Sequence, residues 1–224
     1  FTDPTRGFKL IGDRTLRIHN VGDVRIKKHR HLEGTIKRLT IWKDGTGVWF
    51  ACFSVEVEEK TLEPNTDAIG IDVGISAFAV LSDGTRIENP RFLDQDDKRL
   101  RKVQRQLSES PKGSERRAKK RRVFQKTWKR VENRRKDFAH KLSRSIVDAF
   151  GIICVEELDI KGMTEDNWRS LNRNIHDVAW RRFRQYLTYK AEEAGRVLVA
   201  VNPKYTSRMC SQCGELVLKP LDQR

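Results

Sequence analysis

Two carboxylates lie within or at the end of apolar runs. Asp72 sits in Ala68-Ile69-Gly70-Ile71-Asp72-Val73-Gly74-Ile75, and Glu156 in Gly151-Ile152-Ile153-Cys154-Val155-Glu156-Glu157-Leu158. A charge inside a buried strand is costly unless something pairs with it. Two such acids, if they converge, suit a divalent cation such as Mg2+ or Mn2+, and through it phosphodiester chemistry. Strand alternation places Ile69, Ile71 and Val73 on one face and Gly70, Asp72 and Gly74 on the other. Asp72 is then flanked by residues without side chains, which leaves room for a metal and a nucleic-acid backbone. Glu156 and Glu157 point to opposite faces, and the residues alone leave open which of them is the ligand.

A second set of ligand-type residues lies near the end of the chain. Cys210 and Cys213, followed by Gly214, have the spacing of a tight knuckle. Structural zinc takes four ligands, so this would be half of a Zn2+ site. A redox Cys-x-x-Cys normally opens a helix after a strand. Here Gly214 leads through Glu215 into Leu216-Val217-Leu218, which reads as a turn into a strand and favours zinc. Cys52 and Cys154 lie in apolar runs and are expected to be buried thiols, so a disulfide framework is not expected and a reducing, cytoplasmic compartment fits. His19, His29, His31, His140 and His176 lack zinc-finger spacing and are read as surface or RNA-contacting.

Charge is unevenly placed. The chain carries +15 overall, yet 20 Lys and Arg against 4 Asp and Glu between Lys98 and Arg144 give that segment +16. Such a strip is expected to follow a polyanion, with binding that falls steeply as salt rises. Arg116, Arg117, Lys119, Lys120, Arg121, Arg122 and Lys126 surround a helical cylinder and are the candidate nucleic-acid contacts. Phe124 and Trp128 could stack on bases but are read as packing. No apolar run approaches the length of a membrane span, and no secretory signal opens the chain. It begins at Phe1 rather than Met, as expected of a fragment or a processed protein.

The elements that must position these residues follow from pattern. Residues 1–63 read as a β-rich, barrel-like unit. Strands are expected near Arg14–His19, Val24–Lys28 and Gly34–Trp42, then after the Asp44-Gly45-Thr46-Gly47 turn an alternating strand over Val48–Glu58. Residues 66–203 form a second unit. It has strands over Ile69–Val73, Ala77–Leu81 and Arg86–Phe92, a basic helical insertion over 94–150, a strand at Ile152–Glu156, a helix ending at Gly195 and a last strand over Arg196–Val201. Ser114 is the expected N-cap of the long helix. Residues 204–224 are the partial zinc segment. Three antiparallel strands followed by alternating helices and strands describe an α/β fold with a mixed sheet of the ribonuclease H type, and period alone would also allow other α/β folds.

The stretch Ile69-Gly70-Ile71-Asp72-Val73-Gly74 with Ala77-Phe78-Ala79-Val80-Leu81-Ser82-Asp83-Gly84 resembles the first RuvC-type motif of the TnpB/OrfB transposon-encoded family. Ile153 to Leu158 resembles the second, and that likeness selects Glu156 as the catalytic acid. Asn202-Pro203-Lys204-Tyr205-Thr206-Ser207 through Cys210-Ser211-Gln212-Cys213-Gly214 resembles the lead-in and first knuckle of the family's zinc ribbon, and Val178-Ala179-Trp180, Phe183 and Tyr189-Lys190-Ala191 the helix between. The likeness runs from about residue 66 to 214, and the first 60 residues more weakly resemble a wedge-like barrel.

The resemblance implies an RNA-guided DNA endonuclease. Guide RNA pairs with target DNA and a RuvC-like site cuts with divalent metal, held here by Asp72 and Glu156. It implies nucleoid-associated work and no membrane partner. A third acid and a second zinc-ligand pair are expected beyond residue 224, so this chain alone is expected to be inactive or feeble; Asp222 does not match that acid. Two other readings stand beside it: an RNA-guided DNA binder without cleavage, and a basic nucleic-acid-binding module whose acids are structural. The sequence leaves the guide, the flanking DNA motif and the oligomeric state open.

Overall fold

The computed structural model describes residues 7–58, 61–158, 179–203, 213 and 215–216. The chain forms two compact units, one of residues 1–60 and 98–129, the other of residues 61–97 and 130–224.

In the first unit, β1 (Phe8–Ile11), β2 (Thr15–Ile18) and β3 (Gly22–Arg25) form an antiparallel sheet in the order β1-β2-β3. A hairpin of β4 (Thr35–Lys43) and β5 (Trp49–Glu56) follows. Phe8, Leu16, Ile18 and Leu39 make its small core, with Ile41, Ala51 and Phe53 packed against them. Strand β1 has no counterpart in the sequence expectations, because Phe8-Lys9-Leu10-Ile11 is short and carries no clean alternation. Cys52 is exposed rather than buried, since it lies on the outer face of β5, where Trp42 Nε1 donates to its sulfur at 3.4 Å.

The second unit carries β6 (Ala68–Val73), β7 (Ala77–Leu81), β8 (Arg86–Glu88), β9 (Ile152–Glu156) and β10 (Val197–Val201). They form a mixed sheet in the order β10-β9-β6-β7-β8. The β6-β7-β8 part is antiparallel, whereas β9 runs parallel to β6 and β10 parallel to β9. The expected third strand ends early, at Glu88, because Pro90 cannot continue a ladder and Arg91 turns with φ 44°.

Helix α1 (Phe92–Ser108) and helix α2 (Glu115–Ala149) follow, and α3 (Trp180–Glu193) precedes β10. Ser114 caps α2 as expected, its Oγ accepting the Arg117 N–H at 3.1 Å. One face of the mixed sheet packs on α3 and the C-terminal half of α2. Ile69, Ile71, Ile153 and Val155 of the sheet meet Ala139, Ile146 and Val147 of α2 and Phe183, Leu187 and Ala191 of α3 in one cluster. Phe78 sits edge-on to both Phe138 and Phe183, with ring centres 4.9 and 5.1 Å away.

A polar seam crosses this helical layer. The buried Lys190 ammonium donates to the His140 carbonyl at 2.6 Å and to Ser143 Oγ at 2.8 Å. The His140 ring stacks on Tyr186 at 3.8 Å, so this histidine packs within the unit as well as meeting the surface. Burial, and next the Lys190 charge, hold its pKa below the ordinary 6.5. The folded chain therefore releases this proton more readily than the unfolded chain does. As pH falls through about 6.5 the unfolded state takes up the proton first, and stability is lost. Urea midpoints should drop between pH 8 and pH 5.5, and His140→Phe should lessen that drop.

Candidate functional site

Asp72 and Glu156 are brought together by register. The parallel pairing of β6 with β9 runs Ala68 with Ile152, Ile69 with Ile153, Gly70 with Cys154 and Ile71 with Val155. Asp72 and Glu156 are the next residue on each strand. Neighbouring strands lie about 4.8 Å apart, so the two acids stand side by side near the C-terminal ends of adjacent strands. Ile69, Ile71, Ile153 and Val155 are buried on the helical side. By alternation both acids project from the opposite face.

The row continues outward, since Asp72 pairs with Val80 and Glu156 with Val201. Asp72 is exposed and Glu156 half-buried. Gly70 keeps the approach to Asp72 low, and its backbone is tied to Ser82: Gly70 N–H donates to Ser82 Oγ at 3.0 Å and Ser82 N–H to the Gly70 carbonyl at 2.9 Å. The strand end at Glu156 is fixed by Glu157 N–H donating to the Val201 carbonyl at 2.8 Å. Among the described residues, no third His, Cys, Asp or Glu joins these acids in a metal-binding group. Cys213 is exposed, and Cys210 lies outside the described residues, as do His176 and Asp222.

The basic segment is divided between the units at Lys129, with all seven candidate contacts in the first unit, and it is not uniform. Arg116, Lys119, Arg121, Arg122 and Lys126 are exposed. Arg117 is turned inward, and one guanidinium nitrogen donates to the carbonyls of Leu107 and Ser110, each at 2.8 Å, closing the turn between α1 and α2. Lys120 Nζ donates to Gln106 Oε1 at 2.9 Å. These two hold the helical hairpin together, a role that a count of charges cannot reveal. Trp128 is partly exposed, edge-on to Phe124 at 6.3 Å.

Acids at the C-terminal ends of adjacent parallel strands, on one face of a mixed sheet, define an α/β protein with a carboxylate site at the strand ends. The family is settled by comparison. A model of the OrfB_IS605 family, described as "Probable transposase", matches residues 52–167, and one described as "Cas12f1-like, TNB domain" matches residues 180–224. The chain belongs to the OrfB_IS605 (TnpB/OrfB) family.

Similar proteins include "Putative RNA-guided DNA endonuclease InsQ" of Escherichia coli (strain K12), 31% identical over 93% of this chain and 56% of the relative. A Streptomyces pristinaespiralis protein named "Putative RNA-guided DNA endonuclease" is 36% identical over 83% of this chain and 46% of its own length. The chain thus spans about half the length of these curated relatives. Among solved structures, a Cas12f1–sgRNA–target DNA complex matches with a TM-score of 0.56 and 19% identity, covering 81% of this chain and 39% of that one. That likeness speaks for the fold. Among the described residues no helix is long and apolar enough to cross a membrane.

Proposed function

We propose that this chain forms part of an RNA-guided, divalent-metal-dependent DNA endonuclease working on the nucleoid in the cytoplasm, with a sheet of the ribonuclease H (RuvC) type. The observation that carries the reading is the neighbouring placement of Asp72 and Glu156 on one open sheet face. The strand order, with three antiparallel strands, β9 parallel beside β6 and β10 parallel beside β9, supports the fold assignment. The names of the relatives support the guide RNA and the target DNA as partners.

The acids suit Mg2+ or Mn2+, because such ions are commonly held by one or two carboxylates and completed by water and substrate phosphate oxygens. When bound, the metal supplies Lewis acidity toward the phosphate and makes the attacking water more acidic. The chain's own part is positional. Asp72 and Glu156 present negative charge at a fixed spacing, and Gly70 with Gly74 keeps the surface beside Asp72 low enough for a sugar-phosphate backbone. Exposed Arg116, Lys119, Arg121, Arg122 and Lys126 supply phosphate contacts on a separate element. Cys210 and Cys213 would give two of the four ligands of a structural Zn2+.

The absence of a third acid beside the pair, among the described residues, favours one other reading: an RNA-guided DNA binder that does not cut. A protein of the relatives' full length that carries this sequence decides between them. Loaded with guide RNA, it should cleave matched DNA with Mg2+ and not with EDTA, while binding that DNA in both conditions. Binding without cleavage in every divalent metal tried would leave only the second reading.

A further inference from the structure

The tip of the β4–β5 hairpin is an aromatic surface with no role in the reading above. Lys43 and Trp49 are paired across the strands and continue the face on which Leu39, Ile41, Ala51 and Phe53 meet the small core. The core ends before it reaches them. Trp49 is left 65% exposed, and Val48 beside it is bare as well. The Lys43 ammonium stands 5.3 Å from the centre of the indole ring.

A lone surface tryptophan needs no explanation, but this one is held on a stiff mount. One Asp44 carboxylate oxygen accepts from Thr46 N–H at 2.9 Å, Thr46 Oγ1 at 2.6 Å and Val48 N–H at 3.0 Å. The other accepts from Lys129 Nζ of α2 at 3.0 Å. These bonds hold the Asp44 carboxyl far below the usual carboxylate range, so the lock stays charged at any ordinary pH. Lys129 also lies over the stacked Trp42 and Phe50 rings on the other face, 5.5 and 5.1 Å from their centres. The Gln125 side chain closes against Gly45. The tip is therefore fixed to the helix whose exposed Arg121, Arg122 and Lys126 lie within about a turn of Gln125.

We propose that this tip is a stacking site for an unpaired base of a structured RNA, with Trp49 as the platform and Lys43 beside the adjoining phosphate. A rigid ring loses little freedom on binding, and stacking accepts any base because each has a π-face. The cationic strip complements a phosphate backbone. Duplex DNA keeps its bases stacked and paired, whereas loops and bulges of RNA splay bases outward onto aromatic side chains. The inference rests on the RNA partner proposed above, but its readout needs no cleavage, so the two can fail separately.

The test uses the 224-residue chain and a hairpin RNA with 2-aminopurine in its loop, compared with an RNA duplex of equal charge and a DNA hairpin of the same sequence. Wild-type protein should quench the loop fluorophore and bind the loop RNA more tightly than the duplex. Trp49→Ala should abolish the quench and weaken loop binding about tenfold, leaving duplex binding unchanged. Trp49→Phe should keep most of both, and Trp128→Ala should act like wild type. The proposal is overturned if Trp49→Ala leaves quench and affinity intact, or weakens loop and duplex alike. It is also overturned if Trp128→Ala removes the effect instead. A DNA hairpin showing the same dependence on Trp49 would assign the tip to single-stranded DNA and reject the RNA assignment.

Discussion

In a full-length, guide-loaded protein that carries this sequence, Asp72→Ala lowers cleavage of matched DNA by about a thousandfold or more, the scale on which loss of one preorganised charge-stabilising group registers. Glu156→Gln should do the same, and the double variant should be little worse than either single one, because the proposed ligands of one ion would act as a unit. Asp72 is exposed at its strand end. Its removal leaves no buried partner stranded, so stability should change by no more than about 0.5 kcal/mol. Guide and target binding should persist. Gel-shift and cleavage assays on the same preparations separate the two effects. An Asp72→Ala protein that cuts at the wild-type rate would end the assignment of Asp72 to the metal.

The largest effect on stability is expected at Gly151, between α2 and β9. Gly151 N–H donates to the Asp67 carbonyl at 2.9 Å, and its own carbonyl accepts Val197 N–H at 2.9 Å. Asn65 Nδ2, donating to the Ala149 carbonyl at 3.0 Å, closes the linker over it. A β-carbon at position 151 would fall well inside the backbone carbonyl of Asn65 and 3.2 Å from Thr66 N. Backbone cannot rotate aside as a side chain can, so the linker or the first residue of β9 must shift. Gly151→Ala should cost about 3 kcal/mol, at the upper end of overpacking effects, and lower the melting temperature by about 10 °C for a unit of this size. Gly70→Ala is the matched control. Its added methyl meets Ser82 Cβ at 3.5 Å, an ordinary contact. Urea and thermal melts of the two variants should differ sharply; equal melts would show that the linker does not press on Gly151.

Much of the mixed sheet was legible in the sequence, because its strands are short apolar runs bounded by turns. Ala77–Leu81 and Ile152–Glu156 were bounded correctly, and Ser114 caps α2 as its position suggested. What the sequence left open was decided by register. Alternation alone could not choose between Glu156 and Glu157, whereas pairing Ile71 with Val155 puts Glu156 beside Asp72. Arg86–Phe92 was overextended because Ile87 and Phe92 look like strand residues, but Pro90 and the positive φ of Arg91 end the ladder first. The basic strip was visible by composition, yet composition could not show that Arg117 and Lys120 are already committed to Leu107, Ser110 and Gln106. Exposure of Cys52 was missed for a related reason: an apolar sequence context says nothing about which face of a two-stranded hairpin has a cover.

The consecutive acids at the end of β9 look like a built-in duplicate, but they offer no backup. The backbone alternates, so Glu157 leaves on the helical side, where Arg184 of α3 grips it at 3.0 Å. The two carboxylates are adjacent along the chain and separated by the thickness of the sheet. A cell that lost the first could not draft the second without slipping the whole strand by one position, and that would turn Ile153 and Val155 out into water. The apparent redundancy in the letters is a difference of position, one acid standing beside Asp72 on the open face and the other facing Arg184 of α3 behind it.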